Sequence, residues 1–325
     1  MEQIKCREAF NAEVFTAFLS GVAENVFNEV EKVPALFFAD VKRVIVIGAG
    51  ACHSAAVACK KCFLDSAKLG RSNYQVLCPS QVEAGSPSAG DTLTIEFAEE
   101  NGGAHCGVIS FTKAGTRWEN HVMEEDLAKG FYSVCLLLAA VACRLSGQVP
   151  HRMLLPQLVH YGKQYDQALG EMNRAVAAFA DANRPTVGCE LIADDALLGC
   201  ACKMADALSQ KGIFASAGDS EDWCHINFGV LETDDVPLIA LAQKDEPNRS
   251  RVGETIFQAA GIGRPVLLIA DGTRENYALP EGVAICRLPD FDEISAPLAP
   301  LFEAAAGELL TQHWETALRN GQGGE

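Results

Sequence analysis

A carboxylate and an imidazole stand four positions apart in the second half of the chain, at Glu221 and His225. On a helix this spacing places both side chains on one face, so the carboxylate can bind a ring nitrogen and fix the tautomer of the imidazole. A carboxylate beside a group that titrates near neutrality suits proton transfer. A helix start with acids after a Ser220 cap, and a histidine satisfied in the core, explain the same residues, and both interpretations stay open.

A second candidate site lies where a predicted strand meets a predicted helix. The β-branched run 44–47 is followed by Gly48-Ala49-Gly50-Ala51 and by an alanine-rich helical segment from about Cys52. In open α/β sheets ligands bind at such junctions, and the free N–H groups and positive dipole end of the helix favour an anion such as phosphate. A tight turn that binds nothing is the alternative.

Hydroxyl groups on a later loop can complete that anion site. Ser110, Thr112 and Thr116 follow or end a predicted strand at 106–111 and precede a predicted helix at 118–129. Side-chain hydroxyls and backbone N–H groups at a helix start are what phosphate binding requires. Ordinary helix capping by Ser and Thr is the alternative.

Two other kinds of site are disfavoured by spacing. The dinucleotide pattern G-x-G-x-x-G needs a glycine where this chain has His53, and no acidic residue ends a second strand about 20 positions further on. Cys59 and Cys62 form the only C-x-x-C, without a second pair at zinc-finger spacing, so the 13 cysteines are interpreted mainly as buried reduced thiols. We therefore expect neither a cofactor nor a metal.

Length and composition limit the class of protein further. The 325 residues suit two domains, and 49% hydrophobic with 21% charged residues is a globular profile. A net charge of −17 argues against a nucleic-acid partner. Without a membrane-spanning apolar run or a signal peptide at the start, the expectation is a cytoplasmic protein that does not associate with a membrane.

The elements that must position these residues form two similar series. Helices are predicted at 7–34, 118–129, 151–182, 195–210 and 297–318, and strands at 44–47, 72–79, 106–111, 132–138, 184–188, 237–242 and 265–270. Gly188 then repeats Gly48 at an offset of 140 residues (188 − 48). That second copy reads Gly188-Cys189-Glu190, and because Glu190 would repel phosphate, one phosphate pocket per chain is expected.

The order of these parts resembles the SIS (sugar isomerase) domain, in the tandem arrangement of the isomerase half of glucosamine-6-phosphate synthase and of the fructosamine-6-phosphate deglycases. The resemblance covers about residues 40 to 315. Its first loop, G-x-G-[ST]-S, matches Gly48 to Cys52, with Cys52 at the position of the family's phosphate-binding serine. Its second loop, S-x-S-G-x-T, matches Ser110-Phe111-Thr112 and, across an insertion, Gly115-Thr116, and Lys113 can supply charge that the thiol lacks.

The resemblance also implies catalytic roles. In the family, a helix carries a carboxylate that acts as the catalytic base, and this carboxylate corresponds here to Asp206. A later E-x-x-H motif opens the sugar ring or relays protons. The spacing of that motif places its acidic residue at Asp222 and its histidine at His225, and Glu221 lies one position before the motif's acidic position. The implied catalytic residues are Asp206, Glu221 and His225, and the implied phosphate ligands are Gly50, Cys52, Ser110, Thr112, Lys113 and Thr116.

These observations lead to one fold expectation and two functional ones. The fold is two tandem doubly wound parallel α/β units, at 41–165 and 166–325, after a helical extension at 1–40. The resemblance implies a homodimer that binds a small-molecule sugar phosphate. We expect this protein to act as an aldose/ketose isomerase or deglycase on a hexose or hexosamine phosphate. The alternative is a non-catalytic sensor of such compounds.

Overall fold

The computed structural model describes residues 12–65, 69–82, 90–99, 106–120, 130–227, 236–293 and 297–322. Its α-helices are α1 Phe15–Lys32, α2 Ala35–Phe38, α3 Gly50–Ala58, α4 Lys60–Asp65, α5 Phe131–Leu145, α6 Pro150–Met153, α7 Leu155–Ala182, α8 Leu197–Gln210, α9 Ser220–Asp222, α10 Arg249–Gly261 and α11 Ala299–Gln322. Its strands are β1 Arg43–Ile47, β2 Tyr74–Leu77, β3 Thr92–Glu99, β4 Cys106–Lys113, β5 Thr116–Asn120, β6 Cys189–Ile192, β7 Ala215–Gly218, β8 Leu238–Ala242, β9 Val266–Asp271 and β10 Ala284–Leu288.

The chain divides into two compact units. Residues 1–56 and 60–159 form the first unit, and residues 57–59 and 160–325 form the second. The first contains a five-stranded sheet in the order β2-β1-β3-β4-β5, and the second a five-stranded sheet in the order β7-β6-β8-β9-β10. Counted from the first strand of each unit, both orders are 2-1-3-4-5, one of the common orders of doubly wound folds.

The first sheet is mixed, which corrects the expectation of a parallel sheet in this unit. Strand β1 pairs in parallel with β2 and with β3, as its continuous apolar character requires. Strand β3, which the sequence patterns did not reveal, then pairs antiparallel with β4, and β4 pairs antiparallel with β5. The expected third strand at 106–111 is therefore the middle of an antiparallel meander.

The loop expected after that strand is wrong, and so is the start of the helix expected at 118–129, because the chain reverses there in a hairpin. Ala114 and Gly115 have φ of 50° and 79°, and they form a two-residue turn between the paired residues Lys113 and Thr116. Two consecutive positive φ values are typical of the tight turns that match strand twist. Trp118, the expected helix start, lies in β5 and stacks on Phe111 at 5.2 Å; residues 121–129 lie outside the described part.

Helix α5 replaces the strand expected at 132–138. All residues from Phe131 to Cys143 are buried, so this helix shows no polar face that could reveal its period. An unbroken apolar run is typical of a buried strand and of a buried helix alike, and its 15 residues fit the helix better. Helix α1, which was expected within 7–34, packs on α5 through Phe15 and Tyr132, whose ring centroids are 5.1 Å apart.

The second unit follows its prediction more closely. Strands β8 and β9 and helices α7, α8 and α11 confirm the expected elements, and every strand pair in this sheet is parallel. The strand expected at 184–188 is wrong, because β6 begins one residue after Gly188. A Cβ on Gly188 would lie 2.5 Å from the carbonyl oxygen of Phe214, so this glycine permits a close approach of two chain segments.

The repeat has a different register from the expected one. Each unit turns from its first strand into a helix through a residue with left-handed backbone, Gly50 at φ 51° and Asp195 at φ 49°. Each of these residues stands three positions after the strand end, at Ile47 and Ile192, so the offset is 145 residues (195 − 50) rather than 140. In the second unit the turn after the first strand is therefore Ala193-Asp194-Asp195-Ala196.

Among the described residues, no single helix has both the length and the apolar composition needed to cross a bilayer. The consecutive helical segments Phe131–Leu145 and Pro150–Ala182 meet both criteria only when they are taken together, and the chain bends by 103° between them.

A carboxylate contact joins the end of α1 to the start of α6. Oε1 of Glu31 accepts hydrogen bonds from the backbone N–H of His151 at 3.0 Å and from its Nδ1 at 2.9 Å. Burial alone would raise the pKa of Glu31, but these hydrogen bonds hold that pKa below its usual value. A carboxyl group whose pKa is lower in the folded state stabilises the fold above its unfolded-state pKa and loses that contribution on acidification.

We predict that Glu31→Gln lowers the free energy of unfolding at neutral pH by roughly 1 kcal/mol. The difference from the parent should shrink as the pH falls from about 5 towards 3, because the carboxylate of the parent is then protonated. Urea unfolding across this range measures it. Glu24→Gln on the exposed side of the same helix is the control, and an equal loss in both variants, or a loss independent of pH, would contradict the role of Glu31.

Candidate functional site

The turn after β1 is an open strand-to-helix junction. Gly48 donates its N–H to the carbonyl of Leu77 at 3.1 Å, and Cys52 closes the turn onto the carbonyl of Ala49 at 3.1 Å. A Cβ on Gly48 would lie 3.0 Å from the Cβ of Cys52, whereas a Cβ on Gly50 would meet nothing within 4 Å. The N–H groups of Cys52 and His53 both bond to the carbonyl of Ala49, so the backbone donors that the start of α3 leaves for a ligand are those of Gly50 and Ala51.

Cys52 and Ser110 lie near this end of the sheet. Cys52 is in the first turn of α3, and its side chain is buried. Ser110 lies on β4 opposite Glu96, which in turn lies opposite Ile47 at the end of β1. Its hydroxyl oxygen is buried and has no hydrogen-bond partner among the described residues.

The other expected phosphate ligands lie towards the opposite end of the sheet, where β1 begins. Thr112 lies opposite Thr94, which pairs with Ile45, two residues before the end of β1. Lys113 and Thr116 flank the hairpin turn one step further in that direction, and the Lys113 ammonium group donates to the carbonyl of Ala39, ahead of β1. The structure therefore does not bring these three residues to the Gly50 turn.

In the second unit, the expected role of Glu190 is corrected. Glu190 is the second residue of β6, and it is not part of a loop. The turn that corresponds to Gly48–Cys52 carries Asp194 and Asp195 instead. Oδ1 of Asp194 accepts the backbone N–H of Ser220 at 2.9 Å, and both of its carboxylate oxygens lie within 2.8 Å of the Ser220 hydroxyl.

Glu221 and His225 form the contact that their spacing predicts. They belong to the short helix α9 and to the following π-turn Trp223–Asn227, after the carboxyl end of β7. Oε1 of Glu221 lies 3.1 Å from Nε2 of His225, and their side chains are 62% and 68% exposed. The alternative of a buried core histidine is therefore wrong, while the acidic start behind an N-cap is present, with Asp219 as the cap that accepts from Asp222.

Arg251, on α10, joins this pair and was not found from the sequence. Its Nε lies 2.6 Å from Oε2 of Glu221, its Nη1 lies 2.9 Å from Oε2 of Glu254, and its Nη2 lies 3.4 Å from Nε2 of His225. Desolvation would raise the pKa of Glu221, but the neighbouring His225 and Arg251 hold that pKa below its usual value. Glu221 is therefore a carboxylate at neutral pH.

One nitrogen of His225 faces two incompatible partners. A carboxylate only accepts, so the contact with Glu221 requires a proton on Nε2, whereas a guanidinium only donates, so the contact with Arg251 requires a lone pair there. The contact with Glu221 is the shorter, 3.1 Å against 3.4 Å. From this difference we assign the proton of neutral His225 to Nε2, which leaves Nδ1 with the lone pair.

Asp206 is not brought to this group. It is an exposed residue of α8, which starts near the carboxyl edge of the sheet and runs back towards the amino edge. Asp206 lies nine residues after the first residue of α8, about 14 Å along its axis. Glu221 and His225, by contrast, follow the carboxyl end of β7. Among the described residues, no group of three His, Cys, Asp or Glu side chains is arranged to hold a metal ion.

No family model and no curated protein match this chain. Solved structures do. The C-terminal domain of glucosamine-fructose-6-phosphate aminotransferase from Francisella tularensis aligns with a TM-score of 0.66 and 12% identity over 97% of both chains. The tagatose-6-phosphate ketose/aldose isomerase from Escherichia coli aligns with a TM-score of 0.66 and 11% identity, over 94% of this chain and 92% of that one. The chain has the fold of the SIS-domain proteins. At these identities the likeness concerns the fold, so the function depends on the residues present.

Opposite substitutions should move the His225 tautomer in opposite directions. We predict that Glu221→Ala raises the Nδ1–H population, because Arg251 then remains as a donor to Nε2, and that Arg251→Met raises the Nε2–H population. Imidazole ¹⁵N chemical shifts at about pH 8, where histidine is mostly neutral, measure both. His225→Gln identifies the signal. A shift in the same direction for both substitutions would contradict the arrangement.

Proposed function

We propose that this chain binds a phosphorylated hexose or hexosamine, with the phosphate on the turn Gly48–Cys52. The observation that carries the proposal is the open Gly50 turn at the start of a nine-residue helix. It follows the strand that has β2 on one side and β3 on the other, which is where doubly wound folds bind ligands. Backbone N–H groups and the positive helix end favour an anion there without any lysine.

The second unit lacks an equivalent anion site in this proposal. Asp194 and Asp195 occupy the corresponding turn, and their carboxylates would repel phosphate. One phosphate per chain follows. The overall charge of −17 makes this local difference between the two turns more important, because the field of the whole chain opposes any anion.

The activity that we propose is that of an aldose/ketose isomerase or deglycase, with Glu221 and His225 as its acid–base pair. Such a reaction opens a sugar ring and moves a proton between C1 and C2, so it needs a group that both accepts and returns protons. With Nε2–H donated to Glu221, Nδ1 of His225 would take the proton of the anomeric hydroxyl as the bond between C1 and the ring oxygen breaks, and it would then return this proton to the ring oxygen. Arg251 keeps Glu221 ionised, so the imidazolium that forms meets a carboxylate.

A non-catalytic sensor of sugar phosphates is the second candidate, and one observation favours it. Asp206, the residue expected as the base, lies along α8 away from the carboxyl ends of the strands. A sensor would keep the Gly50 turn and would not need a base.

The phosphate position is tested by exchanging residues between the two turns. Gly50→Asp places in the first turn the residue that the second turn holds at nearly the same φ, so the backbone should accept it. We predict that affinity for glucosamine 6-phosphate falls about tenfold or more from charge repulsion, while the neutral Gly50→Asn stays within about threefold.

Titration calorimetry measures both variants, with Thr112→Val as a further control that should bind like the parent. Equal affinity for Gly50→Asp and Gly50→Asn, or a tenfold loss for Thr112→Val, would place the phosphate elsewhere.

The activity is tested at His225. We predict that His225→Gln lowers turnover by about a hundredfold or more, with sugar-phosphate affinity and melting temperature kept, because an exposed acid–base group is lost without a change in the core. Asp206→Asn is the matched control and should keep full turnover. A parent protein that binds hexosamine phosphates in a thermal-shift screen but turns none over would replace the enzyme by the sensor, and a Gln variant with full turnover would remove His225 from the chemistry.

A further inference from the structure

A buried group of three charged and aromatic side chains lies beneath the turn that carries His225. Nη1 of Arg264 lies 2.5 Å from Oε2 of Glu190, and the two side chains are 1% and 7% exposed. The indole N–H of Trp223 donates to the same carboxylate oxygen at 2.8 Å. The guanidinium carbon of Arg264 also lies 5.4 Å from the centre of the Trp223 ring.

This group ties together three separate parts of the second unit. Glu190 belongs to β6, and Arg264 lies two residues before the start of β9 at Val266. Trp223 is the first residue of the π-turn Trp223–Asn227. Trp223 is packed within the core between the sheet and α10. Because His225 follows two residues later in the same turn, the position of the indole limits where the imidazole can lie.

Stability alone explains this group poorly. A buried ion pair offsets its desolvation only when the remaining donors are also satisfied. Among the described residues, Nε and Nη2 of Arg264 are buried without a hydrogen-bond partner. The pair does supply direction, because a charged oxygen fixes the orientation of the indole N–H more strongly than a neutral acceptor would.

We propose that Glu190 and Arg264 are positioning residues for the proposed acid–base pair, acting through Trp223 on His225. This inference rests on the proposed function, in which Glu221 and His225 are the acid–base pair. The segment 220–224 has further attachments, because Asp194 holds Ser220 and the Thr255 hydroxyl lies 3.1 Å from the thiol sulfur of Cys224. With these attachments the exposed imidazole stays beside Glu221 and Arg251 without being buried itself.

Two buried tryptophans of the second unit provide a matched test. Trp223→Phe keeps an aromatic ring in the core and removes the N–H that Glu190 binds. Trp314→Phe removes a comparable N–H, which donates to the carbonyl of Asn183 at 3.1 Å on a different part of this unit. Both variants lose one hydrogen bond of a buried indole, and the stability measured by urea unfolding should fall more in Trp223→Phe, because its acceptor is a charged carboxylate.

The two variants should differ at His225. We expect the Nε2–H to Nδ1–H ratio from imidazole ¹⁵N shifts to move towards that of free histidine in Trp223→Phe and to stay at the parent value in Trp314→Phe. Turnover in Trp223→Phe should fall about tenfold or more at unchanged KM, because a displaced imidazole loses alignment. Unchanged ¹⁵N shifts and turnover in a folded Trp223→Phe would overturn the proposal.

A second variant covers the case in which Trp223→Phe does not fold. The double substitution Glu190→Gln with Arg264→Met removes both charges without leaving one buried alone, and it keeps an amide oxygen for the indole. It should move the ¹⁵N ratio in the same direction, and a parent-like ratio would overturn the proposal. If the ratio moves in these variants while His225→Gln keeps full turnover, Glu190 and Arg264 do position His225, but the proposed activity is wrong. If His225→Gln loses turnover while the ratio does not move, the proposed activity is supported and the positioning role is wrong.

Discussion

A left-handed residue three positions after the first strand is the constraint on which both units depend. At Gly50 and Asp195 the backbone has φ near 50°, which turns the chain from the end of a strand into the start of a helix at the carboxyl edge of the sheet. Glycine adopts this conformation without strain, and aspartate is among the few other residues that tolerate it. The same backbone turn thus carries no charge in one unit and a carboxylate in the other.

Because of that difference, the two turns make different contacts. In the first, the turn carries only small uncharged side chains, and a Cβ added at Gly50 would meet nothing within 4 Å. In the second, Asp194 uses its carboxylate to hold Ser220, so the turn fixes the next segment of protein instead of a ligand. The segment it fixes leads directly to Glu221 and His225. In the proposed function, the turn of the first unit binds the anion, while the turn of the second unit anchors the segment that carries the proposed acid–base pair.

Much of the fold could be predicted because long periodic segments leave few alternatives. The β1–α3 junction, the strands β8 and β9 and the helices α7, α8 and α11 follow from patterns of apolar residues and their breaks. Helix α5 could not, because a segment buried on all sides has no period to read. The hairpin at Ala114 and Gly115 was missed because the hydroxyl-rich loop suggested a helix start, whereas two-residue turns between strands use the same small residues.

The candidate site was predictable only where its contacts are local. Glu221 and His225 meet because they are four residues apart, and sequence spacing reports that directly. Arg251 reaches them from α10, which carried no recognised signal, and the partners of Glu190 come from 33 and 74 residues away. Glu190 was misassigned because a repeat offset of 140 in place of 145 moves a strand residue into a loop. Contacts of this kind depend on strand register, which a single sequence does not specify.

Chemical-shift mapping of backbone amides with glucosamine 6-phosphate tests the central claim most directly. The account predicts saturable shifts at the amides of Gly48 to His53, which disappear when unphosphorylated glucosamine is added instead. Equal shifts with both compounds, or saturable shifts confined to Asp194 and Asp195, would contradict it.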